Sequence, residues 1–594
     1  MATYYVSTSG DNGNSGLDQD HPWQTLAWAE SHATAAGDII ALKKGDDWSS
    51  TAAFRISHGG NVGNPITWDG SLWGTGSNAI ISSSGNRSGN NNSIVCISHC
   101  QNVDFQNIIV DGNDYTCFGI TIGGSPWDAP DNEQDNETNI HIHNCTLLDI
   151  GCASSSYSNA IMVRNWFTDI YSIEITGCTI NGVRNNAIAI YGWVLGLDPG
   201  GSYHCTHDIY IANNNITNWG EIGNPGAGIV VFVDVDGGII EHNVITQGTT
   251  TPDDGIQFSS EGTHYARDID VRYNKVWMTT KPAFVMDNAN YAEVDIYYNI
   301  FYADSSTAAK LIVFGGSNNY DSGDFDFYNN TCIVSGNGTV VTLPHQAPAG
   351  MVDLKNNIFY SGDTGSEVLV YAAEDSDAIA HSYNLYHRTL GGDPVFINNN
   401  GSYYYRSTIT TWEPTCQEGD PLFTTEFTNL HLQVGSPCIS AGVEISSIPY
   451  LDYDETTVVD PREIGAYELA SSGSSLLTGL LSAWKLDEVS GQALDSHGNI
   501  DSTSISVTYD ANGKIGRCFT FNGSSNYVNF GDVLHLVSHL TISCWFKTTD
   551  VSSNYQGLVT NYDGDYDLGY DICYVGIVRI TQYQLGKHLV LQGD

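Results

Sequence analysis

The sequence predicts an all-β protein built on a right-handed parallel β-helix, and three observations carry that prediction. The first is a period. Short apolar strands recur between residues 160 and 373: "AIMVR", "AIAIY", "GIVVF", "GIQFS", "AFVMD", "LIVFG", "VVTLP" and "VLVYA". Aligned, one inward position reads Ile161, Ile188, Ile229, Ile256, Phe284, Leu311, Val340 and Val368, with gaps of 27, 41, 27, 28, 27, 29 and 28 residues. The second is a column that recurs at the same period: Cys145, Cys178, Asn214, Asn243, Asn274, Asn299, Asn330, Asn357 and Asn384. Asn tolerates the left-handed backbone of a tight corner, and stacked amides can hydrogen-bond along a column. The third is composition. With 62 Gly and 34 Tyr against 5 Met, the chain is rich in strand and turn formers. Each repeat is then one coil of a solenoid whose strands stack about 4.8 Å apart.

The elements follow in order. Residues 1–60 read as a cap and the approach to the first coil. "HPWQTLAWAESHATA" has a helical pattern that would cover the open edge of that coil. Residues 61–469 form the β-helix and its closing segment. "ASSGSS" (470–475) is a small-residue linker. Residues 476–594 alternate apolar and polar positions, as in "LTISCWFKTTD", which is the pattern of a β-sandwich.

The asparagine column and the coil length resemble the pectate-lyase and polygalacturonase superfamily. "YYVSTSGDNGNSGLDQDHPWQTLAWAESHATAAGDIIALKKG" is similar to the opening segment of bacterial and phage β-helix proteins. "GDPLFTTEFTNLHLQVGSPCISAG" with "DPREIGAYE" resembles their closing segment, so the likeness spans roughly residues 3–469. "GLLSAWKLDEVSGQALDSHG" and "GKIGRCFTFNGSSNYVNFGD" look like a laminin-G/concanavalin-like jelly roll, shortened here to about 120 residues. These resemblances imply a polysaccharide-binding β-helix, with a jelly roll that contacts glycans or protein surfaces. This fold hosts lyases, hydrolases, epimerases and inert fibres alike, so the activity has to be argued from residues.

Charge narrows the partners. With 67 acidic and 21 basic residues the formal charge is −46, a surface that repels nucleic acid and anionic membranes. No run of 18 apolar residues exists to span a bilayer. "MATYYVSTSG" does not read as a secretory leader, so the expected location is extracellular, by export or on a virion released at lysis. The 13 Cys include no CxxC spacing, which argues against a zinc site of that kind and for buried thiols.

Two places could carry chemistry. "PDDGIQF" resembles the polygalacturonase strand in which paired aspartates precede a short apolar run, which makes Asp254 a catalytic candidate. That family's other motifs are missing. Ala227 stands where the preceding coil needs an aspartate, the following coil has no His, and "RIK" is absent. A turn or a cation-binding corner is therefore the plainer expectation for Asp253-Asp254. Seven positions along the first four aligned strands fall Trp166, Trp193, Asp234 and Glu261. In register, two indoles would lie beside a carboxylate pair one strand spacing apart, near the separation of a retaining glycosidase. Like charges that close push one pKa up, giving an acid and a nucleophile. Arg164, Tyr191, Phe232 and Asp287 are the nearby outward positions, and the insertion around "VLGLDPGGSYHCTH" is expected to overhang them. Against this, Trp166 and Trp193 could pack under that loop, and the carboxylates could hold calcium. No other cofactor is required. A lyase would need a base, and His264, Arg267 and Lys281 stand on turns.

Finally, Val285, Ile312, Phe314, Val341, Leu343 and Leu369 are expected to point outward lower on the same face. Such a patch would need a cover: a loop, the C-terminal domain or another subunit. The likeness to trimeric phage tailspikes implies a homotrimer. Two expectations follow. One is a polysaccharide-binding protein that cleaves its ligand, as a glycoside hydrolase in preference to a lyase. The other is a non-enzymatic adhesin or fibre in which the helix is a rigid rod.

Overall fold

The computed structural model describes the chain except residues 88–92, 116, 124–136, 153–157, 166–167, 192–203, 221–225, 233, 250–251, 260–265, 280, 288–291, 305–308, 316–322, 344–349, 363–367, 374–378, 426, 470–481, 498–499, 511–516, 532–555, 563–568, 575–577 and 584–594. Two compact units result, Met1–Ala470 and Ser471–Asp594.

The first unit is a right-handed parallel β-helix whose described residues form three sheets of 13 strands each. Each coil contributes one strand to each sheet. In one mid-helix coil, Ala266–Arg272 belongs to the first sheet, Lys275–Met278 to the third and Phe284–Asp287 to the second. All pairings between coils are parallel until the hairpin Val395–Asn399/Ser402–Tyr405 closes the second sheet antiparallel. The predicted N-terminal helix is present as Leu26–His32, with the Thr25 side chain accepting from the Trp28 N–H as its cap. Leu26 and Ala29 join the core beneath it.

The interior is one continuous apolar column in which Ile161, Ile188, Ile229, Ile256 and Phe284 stack in register. Beyond Phe284 the register departs from the expectation. Phe284 pairs with Ile312, which pairs with Val341, which pairs with Val370. Leu311, Val340 and Leu369 sit one place earlier, at the corner, where each coil turns two consecutive residues inward. A shift of one residue exchanges the faces of a strand. Ile312, Phe314, Val341 and Leu343 therefore belong to the core, and the outward column reads Val285, Val313, Thr342, Tyr371. The outward apolar patch expected from the sequence is not formed. Val285 points outward as expected, and the other five residues fill the helix.

The asparagine column is a hydrogen-bonded ladder. In Asn274, Nδ2 donates to Ile240 O (2.7 Å) and to Asn299 Oδ1 (3.0 Å). Its Oδ1 accepts from the Asn243 backbone N–H (3.1 Å) and from Asn243 Nδ2 (3.0 Å). The same pattern runs from Asn214 to Asn384, where Glu413, fully buried, ends it by accepting from the Asn384 backbone N–H, Asn384 Nδ2 and the Tyr386 hydroxyl. The left-handed backbone of each corner falls one residue earlier than expected, on Asn213, His242, Tyr273, Tyr298, Asn329, Asn356 and Tyr383. The ladder Asn are selected by their amides alone, since every buried polar atom of the corner must find a partner.

The first sheet carries a second column on its outer face, Asp270, Asp295, Asp326 and Asp353 on successive coils. Burial and the neighbouring aspartates push Asp295 up to about 7. The 11 Cys whose side chains are described are all free thiols, and eight are buried. The described strands of the second unit pair antiparallel: Ser504–Ser506 with Tyr527–Asn529, Thr508–Asp510 with Cys518–Thr520, and Gly569–Tyr574 with strands on either side.

Candidate active site

The candidate site lies on the outer face of the second sheet and is set by one glycine. A Cβ at Gly255 would fall 2.3 Å from Val276 Cγ1 and 2.5 Å from the Ala283 carbonyl oxygen, so this corner closes on the core only with glycine. Gly255 and Ile256 face inward, which turns Asp254 and Gln257 to the outside. The Asp254 carbonyl accepts from Trp219 Nε1 (3.2 Å), and that indole is fully buried, so the corner is anchored to the core.

Asp254 faces outward without being open to water. It pairs with Ala227 of the preceding coil and is 9% exposed. Burial, then the charge of Asp253, raise its pKa to about 7; Lys281 opposes them and Asp287 adds to them. Lys281 Nζ lies 2.8 Å from Asp253 Oδ1, so the lysine is engaged mainly by the outer aspartate of the pair. The two adjacent carboxyls thus divide: Asp253 forms an exposed ion pair, and Asp254 is a buried acid that carries its proton to near neutrality.

The coils around Asp254 supply the rest of the face. Arg164, Tyr191, Phe232, Ser259 and Asp287 form one register column over five coils. The Tyr191 and Phe232 rings lie 5.0 Å apart, tilted by 30°, and both are half-buried. They pack on Ala189, Ala227 and Val230, a small outward apolar cluster separate from the helix core. Arg164 is buried, its guanidinium 5.0 Å from the Phe118 ring centre. Asp287 is half-buried beside Ser259.

Asp234 is placed differently. The strand Ala227–Phe232 ends before it, and Asp234 sits in a corner with φ of 37° and 6% exposure. Its carbonyl accepts from the Thr206 N–H (3.0 Å) and from Asn165 Nδ2 (3.3 Å). Trp166, Trp193 and Glu261 lie outside the described residues, as do most of the insertion and His264. The face therefore unites Asp254, Tyr191, Phe232, Arg164 and Asp287 from the sequence-derived candidates. Gln257 and Ser259 were not among those candidates, although strict alternation after "DGI" places both outward.

No family profile matches the chain, and no curated protein sequence matches it. Among solved structures it is similar to a GH136 lacto-N-biosidase from Eubacterium ramulus, at 15% identity and a TM-score of 0.43 over 64% of this chain and 67% of that one. It is also similar to the pectate lyase Pel9A, at 12% identity and a TM-score of 0.37 over 79% and 96% of the two chains. The Dettilon tailspike protein follows at 13% identity and a TM-score of 0.41 over 66% and 68%.

Proposed function

We propose that the protein binds a polysaccharide across the outer face of the second sheet and hydrolyses it, with Asp254 as the general acid. The observation that carries this reading is the buried, outward-facing carboxyl of Asp254, pushed up to about 7, on the sheet face that also carries the half-buried rings of Tyr191 and Phe232. A carboxylic acid protonated at neutral pH can give its proton to a glycosidic oxygen as the C–O bond breaks. The Tyr191 and Phe232 rings offer flat apolar surface to sugar faces, and Asp287 supplies a second carboxylate, to orient the water that adds at the anomeric carbon. Charge suits a neutral glycan, since 67 acidic against 21 basic residues would repel a uronate chain. Action on an extracellular or capsular glycan places the protein outside the cell or on a virion. No helix among the described residues is long and apolar enough to cross a membrane.

The fibre reading drew on the missing polygalacturonase partners and on the outward apolar patch, and the register of Ile312, Phe314, Val341 and Leu343 removes the second of these supports.

The test is a panel of neutral and acidic polysaccharides, scored for new reducing ends and for absorbance of unsaturated products. Asp254→Asn, Asp287→Asn and Glu261→Gln are compared with the unmutated chain. Reducing ends without unsaturation, lost at least about 100-fold in Asp254→Asn, are expected for a general acid. Unsaturated product would make it a lyase. Full activity in Asp254→Asn with loss in Glu261→Gln would move the site to the far end of the strand.

A further inference from the structure

The outer face of the first sheet carries a second cluster of chemistry-bearing side chains, unconnected with the proposed cleavage. Three successive coils contribute the strands Gln101–Gln106, Thr138–His143 and Ile170–Thr176. Their register places Asp104, His141 and Glu174 in one column and Gln106, His143 and Thr176 in the next. Ile140 and Ile142 fill the core, so His141 and His143 both project outward, two residues apart on one face.

The donor atoms converge. His141 Nδ1 lies 2.8 Å from Asp104 Oδ1, and its Nε2 lies 3.9 Å from Glu174 Oε1. His143 Nε2 lies 3.9 Å from Glu174 Oε2, while its Nδ1 lies 2.5 Å from Thr176 Oγ1. The two imidazoles are 5.3 Å apart and inclined at 63°. One ligand atom from each of Asp104, His141 and His143 lies within 4.8 Å of the other two. A tetrahedral ion with bonds of about 2.0–2.2 Å holds its ligands roughly 3.4 Å apart, so closure needs about 1 Å of side-chain movement. The four side chains are 22–40% exposed, which leaves their rotamers that freedom.

We propose that Asp104, His141 and His143 bind one divalent transition-metal ion of the zinc type, with the Glu174 carboxylate, 3.9 Å from both rings, turning in as the fourth ligand and so fastening three successive coils together. Two imidazoles with two carboxylates suit zinc, cobalt or nickel, whereas calcium and magnesium take oxygen-only sets. The Thr176 hydroxyl next to His143 Nδ1 would fix that ring with Nε2 toward Glu174, the orienting role an outer partner plays for a ligating histidine. This assignment is independent of the proposed glycan chemistry, because it uses a different sheet and no residue of that face.

The full chain, stripped with chelator and dialysed at pH 7.5, is titrated with Zn²⁺ by calorimetry and with Co²⁺ by visible absorption. One site with a dissociation constant of about 1 µM or lower is expected, with cobalt bands of a four-coordinate centre. His141→Gln and His143→Gln should each weaken it at least about tenfold, and the double variant should abolish it, with the unfolding temperature raised by zinc only in the unmutated chain. The Gln substitutions keep the outward positions polar, and circular dichroism establishes that each variant is folded. The proposal is overturned if no site tighter than about 100 µM is found, or if the double variant binds as the unmutated chain does.

Discussion

Asp254→Asn separates the functional reading of the "PDDGIQF" corner from the structural one, because it should stabilise the fold while removing activity. The carboxyl is buried and its pKa stands at about 7 against an ordinary value of 3.8. A raised carboxyl pKa means that ionisation is costlier in the folded chain than in the unfolded one. The penalty is absent below the unfolded value, grows between 3.8 and 7, and is complete above 7. At pH 8 that shift corresponds to about 4 kcal/mol, and at pH 5 to about 2 kcal/mol. Asn has the same shape and no charge, so the variant should exceed the unmutated chain in stability by a margin about 2–3 kcal/mol larger at pH 8 than at pH 5. Urea unfolding of both proteins at the two pH values measures this, and titrating groups other than its neighbours Asp253, Lys281 and Asp287 cancel in the comparison. A margin that does not change with pH would refute the claim that Asp254 is a buried acid. A variant more stable at pH 8 that still cleaves would refute its catalytic role while keeping its burial.

Other consequences can be measured separately. Asn274→Ala strips partners from Asn243, Asn299 and Ile240 inside the ladder, and should cost about 3 kcal/mol or more in urea unfolding, since each orphaned buried group costs about 1–3 kcal/mol. Asp254 and Asp295 both have pKa values raised to about 7, so lowering the pH from 8 to 5.5 should raise the unfolding temperature. Added salt should raise it too, by screening a charge of −46; a protein that loses stability over that pH interval would contradict the acidic column. Phe232→Ala should weaken glycan binding about tenfold, or about 1.4 kcal/mol, with the unfolding transition little changed, because the ring packs on the outward cluster and not on the core.

Much of this architecture was legible in the sequence, because a solenoid writes its period directly. Ile161, Ile188, Ile229, Ile256 and Phe284 align by spacing and align in space. The reading failed where the pattern is locally ambiguous. "AKLIVF" and "GTVVTL" are apolar at consecutive positions, so alternation alone cannot tell Leu311 from Ile312 or Val340 from Val341. Only the corner, which turns two residues inward, decides. The asparagine column was visible, but its backbone role belongs to the preceding residue, where His242, Tyr273 and Tyr298 give no glycine-like signal.

The candidate site was legible in part. Arg164, Tyr191, Phe232 and Asp287 follow from counting along strands, and the structure places them in one column. What spacing could not supply is the burial of Asp254, which depends on Ala227 beside it and on a glycine that lets the corner close. The His141–His143 cluster is not legible from spacing because its partners Asp104 and Glu174 lie 37 and 33 residues away in sequence, on neighbouring coils. "HIH" on an outward strand face was the available signal.

The central claim is that Asp254 donates a proton to a glycan held on the second sheet. The pH dependence of reducing-end release tests it most directly, on a polysaccharide that the unmutated chain binds. A general acid in this setting predicts a rate that falls above pH of about 7, and in Asp254→Asn a residual rate without that limb. Binding with no release of reducing ends at any pH, or the same basic limb in Asp254→Asn, would contradict it.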